Sequence, residues 1–148
     1  MSDTVLDQLS AETCLELLRL HAVGRIAVIH DGYPIVLPVN YRLVENHDGP
    51  WILVRTRPGN VIDQAGVNLS FEIDGIDAAH RTGWSVLVRG LLRHIDDAMA
   101  SRIEDQVDPR PWLTKDRDSW LVVKPVQITG RRLRVADGEW AFHIRGYL

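Results

Sequence analysis

The apolar run Trp51-Ile52-Leu53-Val54 leads straight into Arg55-Thr56-Arg57 and then a Pro58-Gly59 turn. Two guanidiniums, a hydroxyl and the N–H groups of a tight bend are the groups that gather around a phosphate or carboxylate. Beyond Asn60, the string Val61-Ile62-Asp63-Gln64-Ala65 has the pattern of a helix start, whose positive end would face the same anion. The same residues also suit a plain strand-to-helix connection with solvated arginines, because short Arg/Thr/Gly strings are weak motifs. Arg131-Arg132 is a second basic pair. Trp84 and Trp112 offer planar surface for a ligand, although Trp84, with the polar Ser85 beside it, suits core packing equally well.

Other chemistries find little support. The histidines at 21, 30, 47, 80, 94 and 143 show no metal-ligand spacing. No serine lies in a nucleophile-elbow context, and no glycine-rich phosphate loop precedes a Lys and a Ser or Thr. Cys14 is the single cysteine, so no internal disulfide forms, and a reducing, cytoplasmic setting is expected. A net charge of −3 gives no global attraction to nucleic acid. No apolar run approaches the ~20 residues of a membrane span. The start, Met1-Ser2-Asp3-Thr4, lacks the basic and apolar character of a secretory leader.

The elements that must position these groups are mostly strands. Ser10 is a candidate N-cap for an amphipathic helix over 10–22, with Cys14, Leu15, Leu18 and Ala22 on one face. Arg25–His30 reads as a strand, and Asp31-Gly32 is a two-residue hairpin signal. The return strand contains Pro38, which cannot donate to a ladder, so an edge, a bulge or a break is expected there. Val67–Asp74 alternates with period two, and Gly75–Thr82 reads as a polar loop. Gly83–Ile95 is a long strand in which Gly90 marks a bulge or bend. A second helix follows over 97–107, then a strand ending near Ile128, a Thr129-Gly130 turn, and strands over 131–135 and 139–144. Short turns make neighbours antiparallel. The expected fold is mainly β (α+β): one domain over 1–148, an antiparallel closed or split barrel with strands over about 25–95 and 118–145 and two or three flanking helices. Strands apolar on both faces imply that part of the outside is covered, and a second copy of the chain would do that.

Several strings occur together in one order: Gly24-Arg25-Ile26-Ala27, Asp31-Gly32-Tyr33-Pro34, Pro38-Val39-Asn40-Tyr41, Arg55-Thr56 with Pro58-Gly59, Phe71-Glu72-Ile73-Asp74, Gly83 to Gly90, and Thr129-Gly130-Arg131. In this the chain resembles the pyridoxamine 5′-phosphate oxidase-like, FMN-binding split-barrel family, in its branch of small actinobacterial-type proteins. The resemblance implies a homodimer with two flavin sites at the interface, each built by both chains. It implies that Pro38, Val39 and Asn40 face the isoalloxazine ring, partly through backbone groups. Arg55 and Thr56, with the turn carrying Arg57 and Asn60, would approach the ribityl phosphate, and Trp84 and Ser85 would lie near the ring or tail. FMN is the cofactor implied first; relatives of this fold also use a deazaflavin or haem.

One departure bears on the cofactor. Where the family usually has Gly-Ser-Lys, this chain has Gly59-Asn60-Val61, which keeps a donor and loses a cation. Arg57 would replace that cation if it turned inward. The basic pair with which a true pyridoxamine-phosphate oxidase holds its substrate phosphate has no counterpart, which argues against the vitamin B6 reaction. Three functions therefore stand: a flavin-dependent oxidoreductase, in which the cofactor carries the electrons and no side chain need act as acid or base; a non-catalytic flavin-, deazaflavin- or haem-binding protein on the same fold; or a dimeric structural or regulatory module whose cleft is vestigial.

Overall fold

The computed structural model describes residues 4–57, 59–64, 66–104 and 119–135. The element order is β1 (Thr4–Gln8), α1 (Ala11–Leu20), β2 (Val23–His30), β3 (Tyr33–Asn46), β4 (Gly49–Thr56), β5 (Val67–Asp77), β6 (Thr82–His94), α2 (Asp97–Glu104) and β7 (Ser119–Val135). Every pairing is antiparallel. The strands run β7-β4-β3-β2-β5-β6, and β6 pairs back onto β7, so six strands close a ring that β1 extends at one end of β7.

Asp31 and Gly32 both take positive φ, 50° and 79°, which is the two-residue hairpin geometry expected of them. Gly90 sits at the register shift between β6 and β7, as expected of a bulge. A Cβ there would lie 2.5 Å from the Lys124 carbonyl oxygen, so only glycine lets the two strands close at that point. Inside the ring, Ile26, Val28, Tyr41, Ile52, Val54, Phe71, Ile73, Val86, Val88, Leu121 and Val123 interdigitate. Outside it, Trp51, Leu53, Trp120 and Val122 form a second cluster with Ile103 and Met99 of α2.

The structure departs from the sequence reading in several places. Helix α1 ends at Leu20, and Val23-Gly24 opens β2 instead of closing the helix. The ring of Phe71 accounts for this glycine: a Cβ on Gly24 would lie 2.3 Å from it. The expected loop over 75–82 is shorter, because β5 runs on to Asp77. The Thr129-Gly130 turn does not form; β7 continues straight through. Gly130 is there because α1 crosses it, and its Cβ would meet Cys14 Sγ at 2.6 Å. The same stretch accepts β1, a strand the sequence reading omitted, with Thr4–Gln8 pairing to Arg131–Val135. The helix beginning at Val61 is replaced by a compact turn, so among the described residues the flanking helices are α1 on the core and the short α2. The end of the expected 97–107 helix, Trp112 and the strand over 139–144 lie outside the described residues.

Replacing Gly24 with Ala tests the closest of these approaches. The added methyl meets both the Phe71 ring and the Glu72 carbonyl oxygen at 2.9 Å, and overpacking of this kind costs roughly 1–3 kcal/mol. Urea unfolding of Gly24→Ala should show a loss in that range; a change below about 0.5 kcal/mol would mean that the strands are not held this close.

Candidate functional site

The β3–β4 ladder ends at Tyr41↔Val54. Beyond that pair β3 keeps β2 as its partner and β4 keeps β7. Pro38, Val39 and Asn40 therefore line one side of a parting, and Arg55, Thr56 and Arg57 the other. The expectation that Pro38 lies at an edge holds. The Tyr41 N–H donates to Ala22 O at 2.9 Å, toward the β2 side. Backbone groups alternate along a strand, so the N–H and C=O of Asn40 face the β4 side; the carbonyl closes the last rung of the Tyr41↔Val54 pairing, and the N–H lies beyond that ladder. Pro38 faces the same way, and its missing donor costs nothing there.

Side chains alternate as well, and this divides the candidates. Val39 packs against the interior cluster. Thr56 shares the face of Ile52 and Val54; it is 1% exposed, and its Oγ1 has no hydrogen-bond partner among the described residues. An unsatisfied buried hydroxyl costs about 1–3 kcal/mol, so this oxygen is a ready acceptor and donor for whatever enters. Asn40 and Arg55 point outward, and the Arg55 guanidinium lies 5.1 Å from the centroid of the Trp120 ring.

Continuing the registers around the ring places more groups on the same outward row. Asn40 and Arg55 flank the parting; Asn40 pairs with Val23, which stands opposite Asp74 by the register of β2 and β5. Asp74 pairs with Ser85, and Ser85 with Arg131. The row began at Trp120, the partner of Arg55, and returns to β7 eleven residues further along. This stagger is the shear that any tilted barrel requires. Because of it, Ser85 lies three strands from Asn40, roughly 14 Å along the sheet at about 4.8 Å per strand. Within one chain Ser85 does not meet the parting; it lines a separate concavity of about 220 Å³ with Gln8, Thr129 and Arg131.

Trp84 points inward. Gly75 lies flat against its indole, and His21 packs on it with ring centroids 4.9 Å apart. What remains is an edge on a shallow depression beside Asp77, His80 and Arg132.

The turn over 57–64 is organised by Asp63, which the sequence reading passed over as part of a helix. Its carboxylate accepts the Gly59 N–H at 2.7 Å and the Ser119 hydroxyl at 2.7 Å, and His94 Nε2 lies 3.3 Å away. Burial works to raise the Asp63 pKa, but the Gly59 N–H, Ser119 and His94 together outweigh it and hold the group below the usual carboxylate range. Asn60 adds a second local bond, its Oδ1 accepting from the Ile62 N–H. Asn and Asp side chains that satisfy nearby backbone in this way compete with helix, which is why no helix starts here. Val61, where the resemblance implies a lysine, packs against the interior cluster. Arg57 is exposed.

The row also holds a group the sequence reading did not single out. Arg25 Nη1 lies 3.2 Å from both Glu72 Oε2 and Asp74 Oδ2. Burial, reinforced by the neighbouring Asp74 carboxyl, pushes Glu72 up to about 7 despite Arg25. The period-two pattern of β5 could have shown that Glu72 and Asp74 share a face, but not that Arg25 bridges them.

The sequence matches the family described as pyridoxamine 5′-phosphate oxidase over residues 10–132. The chain belongs to this family. It is 35% identical to the FAD-binding protein from Mycobacterium smegmatis, whose structure superposes with a TM-score of 0.71 over 86% of this chain and 100% of that one. An uncharacterized protein from Mycobacterium tuberculosis is 29% identical over 138 residues, covering 88% of this chain and 86% of the other. An FAD-binding protein from Mesorhizobium loti shares the fold at 23% identity, with a TM-score of 0.66 over 88% of this chain and 98% of that one. The mainly-β antiparallel architecture is thus that of the FMN-binding split-barrel family, and the family is a flavin-binding one.

Glu72 makes stability depend on pH. The folded state holds its proton at pH values where the unfolded chain, near 4.5, has released it. Stability should therefore fall as pH rises from about 4.5 to about 7. Glu72→Gln should flatten this segment of a melting-temperature profile. An unchanged slope would assign the pH dependence to other groups.

Proposed function

We propose that this protein is a flavin-dependent oxidoreductase that binds its flavin across a homodimer interface. The observation that carries the reading is the parting at Tyr41↔Val54, with the Asn40 N–H and the Arg55 guanidinium at its outer side and the Thr56 hydroxyl buried on the inner face of β4. The outward groups fit the cofactor: the Arg55 guanidinium suits the oxygens of a ribityl-phosphate chain, and the Asn40 N–H suits a ring acceptor. Pro38 supplies an apolar wall, Val39 backs it from the interior, and Arg57 and Asn60 stand on the turn above. Ser85 and Trp84 lie three strands away, so they join the same cofactor most simply from a second copy.

A bound flavin supplies two-electron transfer. The chain's own contribution is to hold and orient it, to exclude water with the apolar wall, and to place positive charge at its tail. FMN is the simplest occupant. The 35% identity to a protein described as FAD-binding makes FAD the second candidate for the same site.

A second reading is a non-catalytic carrier of flavin, deazaflavin or haem. Val61 favours it: the position that usually holds a cation is spent on core packing, so tail binding rests on fewer charges.

An absorbance spectrum of the purified protein, followed by titration with FMN and FAD, tests the reading. Flavin absorbance and a rise in melting temperature are expected. A colourless protein that neither flavin stabilises would sink both the enzyme and the flavin carrier. Rapid reoxidation after reduction favours the oxidoreductase over the carrier. Arg55→Ala removes a charged hydrogen bond worth roughly 1.5–3 kcal/mol, so flavin affinity should drop at least about tenfold. Unchanged affinity would place the phosphate elsewhere.

A further inference from the structure

The β2–β3 hairpin forms an arm with open edges on both sides. Pairing of β2 to β5 covers Arg25–Ala27, and pairing of β3 to β4 begins only at Tyr41. Between these limits the arm is a two-stranded ribbon, which is marginally stable by itself in water. Its inner face packs on the core through Val28, Leu37 and Val39. Its outer face is apolar and uncovered: Ala27 pairs with Val36 and Ile29 with Pro34, and Ile29 and Val36 are 62% and 58% exposed. Where β2 leaves β5, this face runs into a groove of about 520 Å³ floored by Leu69 and Ser70 and walled by Val126. Contiguous exposed apolar surface of this kind marks a protein interface.

Charge selects the occupant. Arg89 lines the groove, is exposed, and makes no ion pair among the described residues. At the tip of the arm, the Asp31 side chain is 86% exposed, and among the described residues its one ion-pair contact is His30, at 3.4 Å. One chain therefore carries an apolar arm ending in an acid and an apolar groove edged by an unpaired base. Two copies related by a two-fold axis satisfy both needs twice.

We infer that the arm of each copy docks in the groove of the other, placing Asp31 against Arg89 of the partner copy. This rests on the homodimer reading above and names the surface that forms it. It also explains how the parting at Asn40, immediately beyond the arm, comes to face a second chain.

Sedimentation equilibrium on the full chain tests it. Asp31→Asn is tolerated by the positive φ of that position, and Arg89→Gln keeps much of the stem. Each should raise the dimer dissociation constant about tenfold, and the double variant should raise it no further than either single one. Ile29→Glu should yield a monomer with an unchanged circular dichroism spectrum. Unchanged dissociation constants, additive losses, or an Ile29→Glu dimer would overturn the arm exchange and leave the homodimer standing. A wild-type monomer at about 100 μM would overturn both, and would leave the groove to a small apolar ligand.

Discussion

Tyr41 is the point on which the architecture turns. It is fully buried, its hydroxyl donates to the Leu18 carbonyl oxygen at 2.8 Å, and its ring meets Phe71 edge-on. Its N–H donates to Ala22 O. One residue thus ties α1, β2 and β5 to β3. It is also the last β3 residue to pair with β4. Burial pushes its phenol pKa up, so the hydroxyl stays a donor throughout the accessible pH range. Everything N-terminal to it on β3 belongs to the arm and the parting; everything C-terminal belongs to the closed wall. The candidate site exists because this anchor holds β3 in place exactly where its neighbour departs.

The shear of the ring explains a feature that a flat drawing of the strands would hide. Arg55, Asn40, Asp74, Ser85 and Arg131 lie on one outward row, although the two places where that row touches β7 are eleven residues apart. Groups that seem scattered along the chain are therefore ordered, but they are spread around a curved surface. A single barrel can bring Asn40 and Arg55 together and cannot add Ser85. Curvature works the other way between two barrels: outward rows that diverge on one become facing walls when a second is set against it. The outward triad of Arg25, Glu72 and Asp74 lies on the same surface, so covering that face changes the environment of a proton held near neutral pH.

Much of this was legible in the sequence, for particular reasons. Asp31-Gly32 could be read because its conformation is local and few residues adopt it. Pro38 signalled an edge because a missing donor has few tolerable places in a sheet. Gly90 signalled a bulge for a similar reason. Gly130 misled because its cause is tertiary: the glycine admits Cys14 of α1, and no local pattern distinguishes that from a turn. β1 escaped because a five-residue edge strand is specified by its partner, and Arg131–Val135 were assigned to a separate hairpin. The opposed directions of Arg55 and Thr56 follow from strand alternation alone; treating them as one convergent cluster overlooked it.

The turn after β4 shows how one substitution is absorbed. A helix over 61–65 would have pointed its N–H groups at an anion, and a lysine at 61 would have added a full charge. Here Asp63 takes the Gly59 N–H and Ser119 hydroxyl for itself, and Val61 turns into the core. The turn is thereby fastened to β7, with His94 of β6 beside it, by a carboxylate rather than organised around a ligand. A turn that needs no ligand to hold its shape has less ordering to undergo when one binds. On the function proposed above, an anionic tail at the parting would be met by Arg55, whose guanidinium lies 5.1 Å from the centroid of the Trp120 ring.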